Sequence, residues 1–217
     1  MERVKQIGRH RVQCGDLMDG IDDLMGGEKA DIFYSDPPWG QGNLSYWQTM
    51  NSKMTGAQSK WIDFKAFLTQ VFSLATRYTT GPIIIEYGKG WCNEVIAEGA
   101  KFGLKHLDVE EALYKSGSRL LPLDVHLFIK EGLAIPPVTG ERRFSDINGT
   151  HGIATLRAAA WLFAVPGLKI LDPSCGLGLT AKIALETGMT FYGNEINEAR
   201  LGYTIRLLEK SVEVAHD

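Results

Sequence analysis

The sequence lacks any apolar run long enough to cross a bilayer. Its strongest run, Ala158–Val165, falls far short of the roughly 18 residues that a spanning helix needs. The amino-terminal residues, MERVKQIGRH, are polar and basic, and no apolar stretch follows them, so we expect no secretory signal. Together these absences predict a cytoplasmic protein that does not engage membranes.

Cysteine is also scarce. The three cysteines, Cys14, Cys92 and Cys175, are odd in number and have no CxxC spacing. This pattern argues against a disulfide framework and against a zinc ribbon, and we expect no metal site. We interpret each cysteine as a small buried apolar residue in a reducing compartment.

An excess of basic charge is missing as well. The formal net charge of −3 excludes a broadly basic protein and at first argues against nucleic acid as a partner. The charges are uneven, however, because residues 12–36 hold seven acids and one base, whereas residues 1–11 and 40–80 each carry a net charge of +3. A local basic rim around an acidic site is compatible with phosphate contacts.

What the sequence does contain is an alternation of β-rich runs with helical stretches. With 217 residues, of which 44% are hydrophobic, it suits one domain spanning 1–217. The alternation predicts an α/β fold with a mostly parallel sheet covered on both faces. The seven predicted strands are Arg11–Cys14, Asp31–Ser35, Pro82–Tyr87, His106–Tyr114, Asp124–Ile129, Lys169–Leu171 and Thr190–Gly193.

Three helices are predicted from the spacing of apolar residues and a cap: Trp61–Tyr78, Asn197–Val214 and Leu17–Met25. Residues 115–123 read as the turn of a hairpin between the two antiparallel-looking strands. Two long connections, Gly40–Lys60 and Glu131–Thr150, are rich in turn-forming and polar residues, and we predict functional loops there.

The strongest chemical signal is Asp36-Pro37-Pro38-Trp39, directly after the strand that ends at Ser35. Two prolines hold a stiff loop at the carboxyl edge of the sheet, where open α/β sheets bind ligands. The Asp36 carboxylate and the Pro37 carbonyl suit a substrate amino group with two N–H donors, and Trp39 offers a flat face to a planar ring. The structural alternative is a rigid turn with a capping Asp36 and a packed Trp39.

A second signal is the stretch Ile170–Thr180, ILDPSCGLGLT, in which a strand meets a Gly-x-Gly turn at Gly176 and Gly178. Glycines there let backbone amides approach a ligand closely. A second strand ends at Glu195, where an acid is placed to bind ribose hydroxyls. With Asp172 before the turn, the pattern favours a nucleoside-containing cofactor.

A third, weaker element is Cys14-Gly15-Asp16-Leu17. Asp16 is either the cap of a following helix or a cofactor contact, and the residues alone leave both open.

Together these elements resemble the amino-methyltransferases that use S-adenosylmethionine, in their circularly permuted arrangement, because the DPPW motif at Asp36 precedes the DPxxGxG motif at Asp172. The resemblance covers nearly the whole chain and implies one Rossmann-like catalytic domain whose seven-stranded sheet ends in an antiparallel hairpin. It implies catalytic and base-binding roles for the DPPW residues Asp36, Pro37, Pro38 and Trp39. It assigns the cofactor to Asp16, Asp36, Asp172, Ser174, Gly176, Gly178, Glu195 and His151. Ser174 replaces the family's Phe, and the segment after His151 lacks the family's usual prolines and lysine.

The resemblance further implies methylation of an exocyclic amino group of a DNA base rotated out of the duplex, with adenine N6 preferred to cytosine N4. No cysteine follows a proline, so the nucleophile of carbon-5 cytosine methylation is absent. RNA as the substrate and a methyltransferase-like subunit that binds nucleic acid without catalysis remain open; a protein-glutamine methylase fits less well.

No large target-recognition insertion precedes the glycine motif. Either the loops read a short site, or the enzyme is weakly specific, or a second subunit or homodimer supplies recognition. Six residues of the two loops are candidate nucleic-acid contacts: Tyr46, Trp47, Lys53, Lys60, Arg142 and Arg143.

Overall fold

The computed structural model describes residues 3–56, 61–133 and 142–214. Its centre is one eight-stranded sheet. The strands are β1 (Val4–Ile7), β2 (His10–Cys14), β3 (Ile32–Ser35), β4 (Ile83–Gly88), β5 (Leu104–Ser116), β6 (Arg119–Lys130), β7 (Lys169–Asp172) and β8 (Thr190–Glu195). The predicted α/β class and all seven predicted strands are therefore confirmed.

The order of the strands across the sheet is β1-β2-β8-β7-β3-β4-β6-β5. The five strands from β2 to β4 in that order are mutually parallel, and β5 and β6 form the predicted antiparallel hairpin at one edge. The hairpin turn is shorter than predicted, because the strands extend to Ser116 and Arg119. At the other edge lies β1, antiparallel to β2, which was not predicted, because its four residues, VKQI, are few and do not alternate between apolar and polar.

Helices cover both faces of the sheet. They are α1 (Asp22–Met25), α2 (Gly40–Thr55), α3 (Phe64–Tyr78), α4 (Cys92–Lys101), α5 (Ile153–Trp161), α6 (Leu179–Thr187) and α7 (Glu198–Val214), with short 3-10 turns at Leu17–Asp19, Lys89–Trp91 and Phe144–Ile147. One apolar core lies under α1, α3 and α4, and a second lies under α5, α6 and α7. The central strands are buried on both sides, as the continuous apolar runs of parallel sheets require.

The prediction of an irregular loop over Gly40–Lys60 is wrong for residues 40–55, which form α2. Its Gly, Asn and Ser residues are weak helix formers, so the composition of this segment favoured a loop. Leu44 is its one buried apolar residue among those described, and Gly56 ends it in a left-handed conformation.

Two of the predicted helices also have different boundaries in the structure. The helix expected from Trp61 begins at Phe64, because the Asp63 carboxylate accepts a hydrogen bond from the Ala66 N–H and caps it. The helix expected over Leu17–Met25 is split into a 3-10 turn and α1 by Gly20, whose φ is 85°. In the Glu131–Thr150 connection, the described part contains only the 3-10 turn at Phe144–Ile147, and residues 134–141 lie outside the described residues.

Within the described ranges, the helices are too short or too polar for any of them to cross a membrane.

A substitution at Gly81, just before β4, would test this fold. At Gly81 a Cβ would overlap the backbone carbonyl oxygen of Asp31. We expect Gly81→Ala to lower the free energy of unfolding by about 1–3 kcal/mol, because backbone must shift to accept the methyl group. Urea denaturation measures the loss. The control is Gly42→Ala in α2, where a Cβ meets nothing within 4 Å; a similar loss there would contradict the explanation.

Candidate active site at the carboxyl edge of the sheet

The parallel strands of the sheet deliver acidic side chains to one edge. Asp36 follows β3, Glu86 lies near the end of β4, and Asp172 and Glu195 end β7 and β8. Since β7 lies between β3 and β8, the DPPW loop and the glycine turn are neighbours. Their contact is direct: the hydroxyls of Ser35 and Ser174 lie 3.2 Å apart.

The glycine turn is held by Asp172. One carboxylate oxygen accepts a hydrogen bond from the Ser174 N–H at 3.0 Å, and the other accepts from the Thr180 hydroxyl at 2.6 Å. Gly176 and Gly178 have φ of 55° and 84°, a region that favours glycine. Asp172, at the end of β7, therefore holds the two sides of the turn together through these hydrogen bonds.

Glu195 fixes the same turn from β8. Its carboxylate accepts from the Gly176 N–H and from the Asn197 N–H, each at 2.9 Å, and the side chain is buried. Glu195 therefore holds the glycine turn against the residue that precedes α7.

Asp16 lies beside this turn at the end of β2. The Gly15 N–H donates to the Glu195 carbonyl, and Asn194 donates to the Gly15 carbonyl. The Asp16 carboxylate accepts from the Met18 N–H at 3.0 Å, so it is a cap in this structure and also a neighbour of Glu195.

Asp36 is exposed to solvent, although protein surrounds its carboxyl group closely enough to perturb it. That surrounding protein raises the pKa of the carboxyl to about 6, against opposing effects of the Trp39 N–H and the Arg200 cation. Asp36 makes no capping bond to α2, whose first turn is preceded by Trp39. The structural alternative of a capping aspartate is therefore not what the structure contains.

Trp39 is packed more tightly than a free stacking platform would be. Its ring meets Tyr114 edge-on, with centroids 4.6 Å apart, and a Cβ at Gly88 would lie 3.2 Å from it. The indole N–H is buried without a well-formed hydrogen bond in the described part of the chain. This N–H also lowers the pKa of the Asp36 carboxyl. Pro37 is buried, and the Pro38 carbonyl accepts from the Tyr87 hydroxyl at 3.3 Å.

A buried acid that sequence reasoning missed lies behind Asp36. Glu86 accepts a short hydrogen bond from the Tyr34 hydroxyl. Burial, and repulsion from Asp36, raise the pKa of Glu86 to about 8, and burial raises the pKa of Asp172 to about 7. The signal in the sequence was an acid inside the apolar strand IIIEY.

A second missed residue is Arg200, in the first turn of α7. Its guanidinium lies 4.7 Å from the centre of the Trp47 ring and crosses Gly176, where a Cβ would approach it to 2.8 Å. Asn197 also donates to the Asn51 side chain at 3.3 Å. Helix α2 therefore lies over the glycine turn and brings Trp47 to the site.

The remaining predicted residues spread outwards. Tyr46 is exposed and packs edge-on against Trp47, and Lys53 is exposed further along α2. His151 is exposed and bridges to Leu113 of β5. Arg142 and Arg143 are exposed and have other partners: the first stacks on Trp161 at 4.1 Å, and the second donates its backbone N–H to Asp146. Lys60 lies outside the described residues.

Solved structures share this fold. M1.HpyAVI superposes with a TM-score of 0.64 at 14% identity, over 91% of this chain and 97% of that one. TTHA0409, a putative DNA modification methylase from Thermus thermophilus in complex with S-adenosyl-L-methionine, gives 0.62 at 16% identity, over 94% of each chain. The PvuII DNA methyltransferase, described as cytosine-N4-specific, gives 0.53 at 12% identity, over 94% of this chain and 90% of that one.

Comparison of the sequence with protein-family models and with curated proteins finds no match. At these identities the structural likeness defines the fold, which is the α/β fold of DNA methyltransferases.

The buried acids make stability depend on pH. A carboxyl whose pKa is raised by folding stabilises the protein below its unfolded value, and that contribution is lost as the pH rises through the folded value. For Glu86, folded pKa about 8, the free energy of unfolding should fall as the pH rises from about 5 to about 8.5.

Glu86→Gln should flatten this decline, because an amide stays neutral throughout. Urea unfolding across that pH range measures it. The matched control is Glu131→Gln, at an exposed acid. An unchanged slope in Glu86→Gln would contradict the assignment.

Proposed function

We propose that this chain transfers a methyl group from S-adenosylmethionine to the exocyclic amino group of a DNA base, with adenine N6 as the preferred acceptor. The observation that carries the proposal is the 3.2 Å contact between Ser35 and Ser174, because it joins the DPPW loop to the glycine turn at one sheet edge. An amino group held at Asp36 would then lie beside a cofactor held by the turn.

The site fits the cofactor in two respects. Gly176 and Gly178 have positive φ angles and no side chains, so a ligand can approach the backbone of the turn closely at both positions. Large apolar side chains stand exposed on either side of it: Leu177, Leu179 and Ile196 are 55%, 49% and 44% exposed. Such surface gains from being covered by an adenine ring or a methionine chain. Glu195 and Asp16 lie beside this surface, and we propose Glu195 as the ribose contact and Asp16 as the contact of the adenine amino group.

The bound cofactor would supply an electrophilic methyl group. An exocyclic amino nitrogen is a poor nucleophile because its lone pair is delocalised into the ring. Hydrogen bonds from its two N–H groups to the Asp36 carboxylate and the Pro37 carbonyl return electron density to nitrogen and orient it. Glu86, largely protonated near neutrality, avoids a second full charge behind Asp36.

The two methylases named above support DNA as the substrate polymer. One of them is described as cytosine-N4-specific, so cytosine N4 is the alternative acceptor. We propose that the bases around the target are contacted by Tyr46, Trp47 and Lys53 of α2, together with Arg200, because this helix covers the site. Arg142 and Arg143 are proposed as phosphate contacts further out. His151 and Ser174 remain proposed cofactor neighbours. The chain is proposed as one catalytic domain that takes recognition from these segments or from a second subunit.

The order of the elements supports the permuted arrangement, since β3 with DPPW precedes β7 with the glycine turn in the chain.

Asp36→Asn tests the catalytic role. We expect methyl transfer to fall about 100- to 1000-fold, because an amide accepts the substrate N–H poorly, while cofactor affinity is retained. In the unchanged protein the rate should decline below about pH 6 as the carboxyl is protonated. Labelled-methyl transfer to DNA, RNA and protein, followed by nucleoside mass spectrometry, measures the rate and identifies polymer and atom.

The control for this variant is Asp108→Asn, at an exposed acid on β5. Full transfer activity in Asp36→Asn would refute the role, and cofactor binding without transfer to any nucleic acid by the unchanged protein would favour the non-catalytic alternative.

Gly178→Ala tests the cofactor site. A Cβ there would lie 2.6 Å from the Thr204 hydroxyl at a φ of 84°, so the turn must distort. A strain of about 1–3 kcal/mol corresponds to roughly ten- to hundredfold weaker binding of S-adenosylmethionine, measured by calorimetry. Gly202→Ala in α7 is the control, since its Cβ meets only Arg206 at 3.5 Å. Equal affinity in both variants would place the cofactor elsewhere.

A further inference from the structure

Cys92, Asp124 and His126 form a compact group outside the proposed active site. One potential ligand atom from each, a sulfur, a carboxylate oxygen and a ring nitrogen, lies within 4.8 Å of the others. Cys92 begins α4, and Asp124 and His126 are two residues apart on β6, so both point to the same face of the sheet. Sequence spacing could not show this group, because Cys92 and Asp124 lie thirty-two positions apart in the chain.

The histidine in this group has a ring nitrogen without a hydrogen-bond partner among the described residues. His126 is fully buried, and its Nε2 has no hydrogen-bond partner among the described residues. Buried polar atoms in proteins are almost always satisfied, so this nitrogen points to an absent ligand. Its Nδ1 lies 3.3 Å from Nε2 of His106 on β5. That contact suits the tautomer in which Nδ1–H donates to His106 and Nε2 keeps a free lone pair.

The arrangement of His126 and His106 is that of a metal-binding histidine with a partner behind it. Such outer partners orient the ring and raise its basicity. Burial also raises the pKa of the Cys92 thiol and of the Asp124 carboxyl, and the nearby cation of Lys89 is paired with Glu111. A divalent cation would favour the charged forms of both ligands.

We propose that Cys92, Asp124 and His126 bind one divalent transition-metal ion of the Zn²⁺ class, with His106 orienting His126. Sulfur, imidazole and carboxylate ligands are those that Zn²⁺ takes in tetrahedral sites. Ligand atoms there lie roughly 3.3–3.8 Å apart, so the group needs to contract by about 1 Å or a little more. Binding displaces the thiol proton of Cys92 to solvent, and the fourth position is open to water.

The ion would tie the first turn of α4 to β6. Immediately before α4, Trp91 packs on Gly40, where a Cβ would approach its ring to 2.6 Å. Gly40 begins α2, directly after the DPPW loop. The metal site therefore supports the segment on which this loop rests, although the proposal does not depend on the methyltransferase function.

The test uses the full chain, dialysed against a chelator and titrated with Zn²⁺ in a calorimeter and with Co²⁺ in an absorption spectrometer. We expect one equivalent of metal and a thiolate-to-cobalt charge-transfer band. Cys92→Ser should abolish the band, Asp124→Asn should weaken Zn²⁺ binding at least about tenfold, and His106→Gln should weaken it about 10- to 100-fold. Cys14→Ser, at another half-buried cysteine, is the matched control and should bind as the unchanged protein does.

The proposal is overturned if the unchanged protein binds no metal, if the cobalt complex lacks the thiolate band, or if Cys92→Ser and Asp124→Asn bind as tightly as the control. Circular dichroism checks that each variant folds. If Cys92→Ser does not fold, X-ray absorption of the zinc-loaded unchanged protein decides the matter: one sulfur ligand supports the site and none refutes it.

Discussion

The candidate site depends on the two hydrogen bonds that the buried Glu195 carboxylate accepts, from the amides of Gly176 and Asn197. They tie the glycine turn to the end of β8 and the start of α7 at once. A charged acceptor makes both bonds strong, and a buried carboxylate without donors would be costly, so turn and acid stabilise each other. Arg200, one turn along α7, is thereby carried across Gly176 towards Asp36.

Much of the fold could be predicted because the parallel strands are buried on both faces and read as apolar runs, as IIIEY does. The α3 stripe was equally clear, since Phe64, Phe67 and Val71 keep helical spacing and are buried. Helix α2 could not be predicted, because its contacts with Arg200 and Asn197 come from distant sequence and its Gly, Asn and Ser residues are weak helix formers. The prediction missed edge strand β1 for a related reason. This segment is a strand because it pairs with β2, and its own residue pattern contributes little.

The residues of the candidate site also divide into those that the sequence predicted and those that it did not. The motifs located Asp36, Asp172 and the glycines, because these residues must occur next to one another in the chain to do their work. Glu86 and Arg200 were missed because they join the site only through the topology, which places β4 beside β3 and the first turn of α7 above the glycine turn. The Cys92, Asp124 and His126 group was invisible for this reason too, and the scarcity of cysteine argued against it.

The uneven charge of the chain now has a structural meaning. Asp36, Glu86 and Asp172 converge at one edge, where three full negative charges would repel a phosphate backbone and one another. Burial raises the pKa of Glu86 and Asp172, and the protein around the exposed Asp36 raises the pKa of that carboxyl, so fewer of the three are ionised near neutrality than their number suggests. Arg200 adds a cation beside the carboxyl that is most open to solvent. A net charge of −3 is therefore compatible with a polyanionic partner, because the acidic charge is partly neutralised where that partner would have to approach.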